Sequence, residues 1–188
     1  MIQETIITTL SLADIPHIAP MGVHVEGDSF VILPFKPSTT LDNILQTGHA
    51  VINYCDDVRV FAGCLTGRRD WPLRAAEKTR GRILTDTLAH TELVLERIED
   101  DALRPRLHCK AVHSGNHKPF RGFNRAQFAV LEAAILVSRL DMLPWEKVQS
   151  ELDYLRIGLE KTAGDNEREA WSWLMATIEQ HQLKGQTI

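Results

Sequence analysis

The segment PFKPSTTLDNILQTG, residues 34–48, sets three adjacent hydroxyl residues behind a lysine and in front of a short amphipathic stretch. That stretch predicts a helix starting at Thr40 or Leu41, running to Thr47 and ended by Gly48. A helix start presents unpaired backbone N–H groups and a partial positive charge, and phosphate is its usual guest. Ser38, Thr39 and Thr40 can donate to phosphate oxygens, Lys36 can balance the charge, and the Asn43 amide lies one turn further in. The same residues also fit plain capping. Thr40 would then be the N-cap, its neighbours turn residues, Lys36 a solvated charge, and Asp42 the answer to the helix dipole. Local physics leaves both readings open.

Three other groupings carry chemistry-bearing side chains. HCKAVHSGNH holds His108, Cys109, His113 and His117, a combination that raises the question of a metal. His113 and His117 have a ligand-like spacing, but Gly115 and Asn116 between them argue for a loop. His108 and Cys109 point to opposite sides of a strand, so no metal is expected. At a barrel rim, His113 or His117 would instead face a bound small molecule. The pair Asp56 and Asp57 suits acid–base work or, more simply, a strand-ending turn. Residues 67–82, GRRDWPLRAAEKTRGR, form a locally basic loop suited to solvent or a small anion. The net charge of −4 speaks against nucleic acid as a partner. No local motif supports a Cys/His nucleophile.

The elements that must position these residues change character along the chain. Up to about residue 115 the pattern is one of short strand-like runs: ETIITTL, HIAPMGVHVEG ending in a Gly-Asp turn, SFVILPF, HAVINYCDD, HTELVLERI and RLHCKAVHS. The last two flank EDDALRP, which reads as a longer hairpin loop. Beyond residue 123 the period is helical. Asn124 caps a helix with Phe128, Leu131, Ile135 and Leu136 near one face. Pro144 opens a second helix closing on Gly164, and Asp165 caps a third ending at Gly185. Trp145, Trp171 and Trp173 occupy apolar positions there. With 44% hydrophobic and 24% charged residues, the chain is ordinary globular material. No run is long enough for a membrane helix, and MIQETIITTL lacks the pattern of a secretory signal. Three irregularly spaced cysteines, Cys55, Cys64 and Cys109, read as reduced thiols of a cytoplasmic protein.

The motifs IAPMGV, PFKPSTTLDNI and TGHAVINYCDDVRVF occur in an order and spacing that resembles the FMN-binding split-barrel, flavin-reductase-like superfamily. With PFRGFNRAQFAVLEAAILVSRL and the helical end, the whole chain resembles a domain-of-unknown-function branch of it. The resemblance implies an α+β fold: a split β-barrel flavin-binding domain over residues 1–122, then a C-terminal helical unit over 123–188 packed on the barrel or on a dimer partner. It implies FMN as cofactor. Ala19, Pro20 and Met21 would lie along the ring, with Phe35 and Lys36 beside ring and ribityl chain. Ser38, Thr39 and Thr40 would hold the phosphate, with Asn43 bracing or touching it. Asn124 and Arg125 would reach in from the same or the partner chain. The function implied is an FMN-dependent oxidoreductase acting with a small-molecule redox partner, homodimeric, with no catalytic side chain assigned. A non-catalytic flavin carrier or sensor, or a dimeric interaction module, remains an alternative. A link to pterin-dependent one-carbon metabolism is suggested by analogy.

Overall fold

The structure, a computed structural model, describes residues 1–27 and 29–185. Asp28, second residue of the expected Gly-Asp turn, lies outside the described residues; Gly27 takes the left-handed conformation with φ 63°. In chain order the elements are β1 (Ile2–Leu10), β2 (Pro16–Glu26), β3 (Ser29–Ile32), α1 (Thr39–Thr47), β4 (His49–Tyr54) and α2 (Val58–Leu65). Then follow β5 (Leu73–Ala75), β6 (Arg82–Leu84), β7 (Ala89–Glu99), β8 (Arg106–Asn116), α3 (Arg125–Val137), α4 (Trp145–Thr162) and α5 (Asp165–Gly185).

Two compact units result. The first takes Met1–Cys55 and Trp71–Phe120; the second takes Asp56–Asp70 and the chain from Arg121 onward. The sequence places a single boundary at 122/123, whereas the contacts also assign residues 56–70, with α2, to the helical unit.

In the first unit, six antiparallel strands close a barrel in the order β1-β2-β3-β8-β7-β4, with β4 returning to β1. Its interior holds Ile7, Val23, Ile32, Ala50, Ile52, Leu93, Leu107 and Cys109. Leu41 and Ile44 of α1 belong to the same cluster, so the helix buries one face there. β1 is buried from Thr5 through Leu10, on both faces, because its outer face is covered too. The small β5-β6 hairpin lies there, and the Thr8 hydroxyl donates to the Arg82 carbonyl. Asn53 ties these layers together at zero exposure. Its Nδ2 donates to Ile6 O at 3.1 Å and Thr8 Oγ1 at 3.2 Å, while its Oδ1 accepts from Leu84 N at 2.8 Å.

In the second unit, α2 begins at Asp57, whose carboxylate accepts from Arg59 N at 3.0 Å. The aspartate pair thus ends a strand and, through Asp57, starts a helix; it is not poised for acid–base work. Asp57 also grips the Arg59 guanidinium, with Nη2–Oδ2 at 2.7 Å. The buried face of α3 differs from expectation. It consists of Ala126, Ala129, Val130, Ala133, Ala134 and Leu136, while Phe128 is 52% exposed. Small side chains let helices approach closely, so here packing follows size rather than hydrophobicity. α4 contributes Val148, Leu152, Leu155 and Leu159 at helical spacing, and α5 contributes Ala170, Trp171, Leu174 and Ile178. Trp173 packs partly buried against this cluster with the Arg68 guanidinium 4.5 Å from its ring centroid, whereas Trp145 is 38% exposed. Between α4 and α5, Gly164 stands before the first turn, and Glu167 reaches back to its N–H at 2.9 Å, as in a capping box.

Two outcomes follow from this packing. Asn53→Ala takes the acceptor from the buried Leu84 N–H and removes the amide's bonds to β1, and lowers stability by ~2 kcal/mol or more, read by chemical denaturation followed with a barrel-specific probe. Burial pushes the Cys64 thiol up to about 11 and the Cys109 thiol up to about 12. A thiol-specific disulfide reagent is therefore expected to label half-buried Cys55 in the native protein, and the other two only after unfolding.

Candidate functional site

β3 is four residues long and β2 eleven, so β3 pairs only with Val23–Glu26. Along Ala19, Pro20 and Met21, β2 therefore has a strand neighbour, β1, on one side only. All three are half-buried. Thr5 Oγ1 donates to the Met21 carbonyl at 3.0 Å, and the Met21 side chain packs on the barrel cluster beside α1. Pro20 lacks an N–H, which suits a position on an open edge.

α1 starts at Thr39 and is capped by Ser38, two residues before the expected cap Thr40. The Ser38 side chain accepts from Leu41 N at 3.3 Å, and Gly48 closes the helix at φ 73°. Thr40 is consequently not the cap. It is 2% exposed, while Thr39 is exposed and Ser38 half-buried. An α-helix leaves its first N–H groups without intrahelical acceptors, and here one of them is met by Ser38. Asn43 is 4% exposed and its amide donates to Thr9 Oγ1 at 3.0 Å, which holds α1 against β1.

The connection from β3 to α1 is tied to the β7–β8 loop. Lys36 N donates to Leu103 O at 2.8 Å; its ammonium pairs with the Asp100 carboxylate and donates to Asp101 O at 2.8 Å. That hydrogen bond holds the Asp100 carboxyl below its usual range. The Lys36–Pro37 peptide is cis. Phe35 is 55% exposed, and the Arg104 guanidinium lies 4.6 Å from its ring centroid while donating to Leu33 O at 2.9 Å. Arg104 is a candidate residue that sequence reasoning missed. Its position follows from a loop closure that no local pattern encodes; Asp101, which accepts from Leu103 N and Arg104 N, is the local turn signal.

Nine of the sequence-derived residues, Ala19 to Met21, Phe35, Lys36, Ser38 to Thr40 and Asn43, are thus brought together in the first unit. Asn124 and Arg125 belong to the second. Asn124 caps α3, accepting from Ala126 N at 2.7 Å and donating to Thr162 O at 3.2 Å. Arg125 lines, with Phe128, Tyr154, Ile157 and Gly158, an open hollow of about 200 Å³. Gly158 permits this approach of α4 to α3, since a Cβ there would sit 3.3 Å from the Arg125 carbonyl oxygen.

Set against known proteins, residues 3–118 match the family model described as protein of unknown function (DUF447), N-terminal domain. Residues 124–176 match the model described as protein of unknown function (DUF447). No curated protein matches by sequence. Among solved structures, the FMN-bound protein MM1853 from Methanosarcina mazei, itself assigned to DUF447, is similar with a TM-score of 0.80 at 20% identity, over 94% of this chain and 94% of its own. The 2-nitrobenzoate 2-nitroreductase NbaA of Pseudomonas fluorescens is similar at 0.53 and 20% identity, over 61% of this chain and 64% of its own. The NADH:FAD oxidoreductase SgcE6 of Streptomyces globisporus is similar at 0.52 and 9% identity, over 64% and 79% respectively. The fold is the flavin-reductase-like split barrel with added helices, and the chain belongs to the DUF447 family.

Proposed function

We propose that this protein binds FMN in the first unit and uses it as an oxidoreductase, in a homodimeric assembly. The observation that carries the reading is the open edge of β2 at Ala19–Met21 next to the α1 start, where Ser38 meets one first-turn N–H and the first-turn Asp42 is exposed. A planar ring with a phosphate tail needs an apolar slot, backbone hydrogen bonds along one rim and an anion pocket at one end. The family's FMN-bound member and the flavin-dependent fold neighbours support the same choice.

In this reading the Ser38 hydroxyl accepts from Leu41 N and gives its own proton to a phosphate oxygen. The Thr39 hydroxyl and the remaining first-turn N–H groups complete the anion pocket. Thr40 and Asn43 act from behind, by fixing the helix on the barrel. Phe35 supplies exposed aromatic surface, and Arg104 holds that ring in place. Lys36, engaged with Asp100, contributes long-range positive charge at the pocket's mouth. The bound flavin supplies the hydride and electron chemistry. Among the site residues no buried carboxylic acid, histidine or thiol stands ready for proton transfer, so the protein's own part is binding and orientation.

The purified protein is expected to carry flavin absorbance or to acquire it with added FMN. A protein that stays colourless and shows no FMN binding by calorimetry sinks the proposal. Ser38→Ala combined with Thr39→Ala is expected to weaken FMN affinity by ~10-fold or more, since both substitutions remove donors to a charged group. Riboflavin, which has no phosphate, is expected to bind wild type and double variant alike. Steady-state oxidation of NADH or NADPH by the FMN-loaded protein tests the oxidoreductase assignment; binding without turnover with either donor identifies a flavin carrier instead.

A further inference from the structure

The outer face of the barrel beneath the β5-β6 hairpin holds a second cluster, built from β7, β8 and the loop between β5 and β6. β8 presents His113 and Gly115 on one face, and His117 continues that period just past the strand. Gly115 is opposite His90 of β7, and a Cβ at Gly115 would come within 2.7 Å of His90 Cε1. The missing side chain lets the His90 imidazole lie across β8, between His113 and His117. Glu92, on the same face of β7, stands opposite His113. Because β8 extends to Asn116, the segment expected as a loop is strand, and its alternation brings these residues together.

The two ring nitrogens of His90 have different surroundings. Its Nδ1 lies 2.8 Å from His117 Nε2, with the two ring planes within 9° and centroids 5.0 Å apart, an edge-to-edge bond rather than a face stack. The Arg74 guanidinium lies against the His117 ring, its Nη2 2.7 Å from Nε2 and 3.3 Å from Nδ1. His90 Nε2 is buried, has no hydrogen-bond partner among the described residues, and lies 3.5 Å from the Glu92 carboxylate oxygen. In the tautomer whose Nδ1–H donates to His117, Nε2 offers its lone pair to a cation, which would meet both this buried nitrogen and the nearby carboxylate.

We propose that Glu77, His90 and His113 form a binding site for one divalent transition-metal ion such as Zn²⁺. One donor atom from each lies within 4.8 Å of the other two, and His113 Nε2 is already 3.2 Å from Glu77 Oε2. Tetrahedral zinc places its donors ~3.3 Å apart, so the site must contract by a modest amount. The side chains of His113 and Glu77 are 27% and 52% exposed and free to do so, while buried His90 stays fixed. Two imidazoles and a carboxylate suit a borderline first-row ion rather than Ca²⁺ or Mg²⁺. The His117–Arg74 pair orients His90, the familiar outer partner of a metal-bound histidine. Glu92 fixes the loop that carries Glu77. It accepts from the backbone N–H of Glu77, Lys78 and Thr79 at 2.6, 2.9 and 2.6 Å, and from the Thr79 hydroxyl at 2.9 Å.

Full-length protein treated with chelator and then dialysed tests this by calorimetry with Zn²⁺ and by the ligand-field absorption of added Co²⁺. One equivalent is expected to bind, with a Co²⁺ spectrum typical of four or five ligands. His113→Gln and Glu77→Gln change surface-accessible side chains and are expected to keep the metal-free melting temperature. Each should weaken Zn²⁺ binding by ~10-fold or more and alter the Co²⁺ spectrum. His181→Gln, in the second unit, should change neither. Absence of saturable uptake, or uptake unaltered in both site variants, overturns the proposal. None of these readouts depends on flavin.

Discussion

The mismatch in length between β2 and β3 governs the first unit. A four-residue strand cannot cover an eleven-residue neighbour, so the barrel closes at one end of β2 and leaves the other end with a free edge. An uncovered edge is normally a hazard, because its N–H and C=O groups invite another strand. Here it is short, interrupted by Pro20, and bounded by α1, whose Leu41 and Ile44 are buried in the barrel cluster. The hydrophobic attachment of α1 thus sets where its N-terminus sits, and in the proposed function that end of the helix supplies the anion pocket beside the open edge.

Two places in this unit converge several N–H donors on a point, and they are in opposite conditions. The loop at Glu77–Thr79 aims three backbone N–H groups and a hydroxyl at Glu92, a carboxylate from the protein itself at zero exposure. Burial raises the cost of that charge, yet the converging donors outweigh it and hold the carboxyl below its usual range. That nest is filled. At α1, Ser38 satisfies one N–H, Asp42 is exposed, and Lys36 is drawn toward Asp100. In the proposed function the second takes the outside anion, a choice that counting basic residues would reverse, since residues 67–82 are the more basic stretch.

The barrel strands were legible because β-branched runs separated by turn residues leave few alternatives. The helix after the third strand is legible to within two residues, because Gly48 and the hydroxyl run mark both ends. What was not legible has physical reasons. α2 is eight residues long and apolar nearly all round, so it shows no stripe and reads as a continuation of the strand before it. β5 and β6, at three residues each, are too short for any period to register. The buried face of α3 was misread because its contacts use alanine, which a hydrophobic pattern undervalues against Phe128. Among the candidate residues, the place of Ser38, Thr39 and Asn43 on the helix start is legible in the sequence. The contact of Arg104 with Phe35 is not, since it depends on how a distant loop folds back.

The same limit explains the histidine cluster. Along the sequence, the neighbours of His113 and His117 are His108 and Cys109, and that set cannot ligate together. The actual companions, His90 and Glu77, come from another strand and from a loop whose position is set by Glu92. Strand pairing, not spacing along the chain, creates the juxtaposition, and the one local clue was a glycine. A glycine within a strand costs stability relative to a residue with a side chain, so it needs a reason. At position 115 the reason is a neighbouring imidazole that occupies the space a Cβ would fill. Strand pairing leads from Gly115 to His90, and from His90 to a buried nitrogen without a hydrogen-bond partner among the described residues.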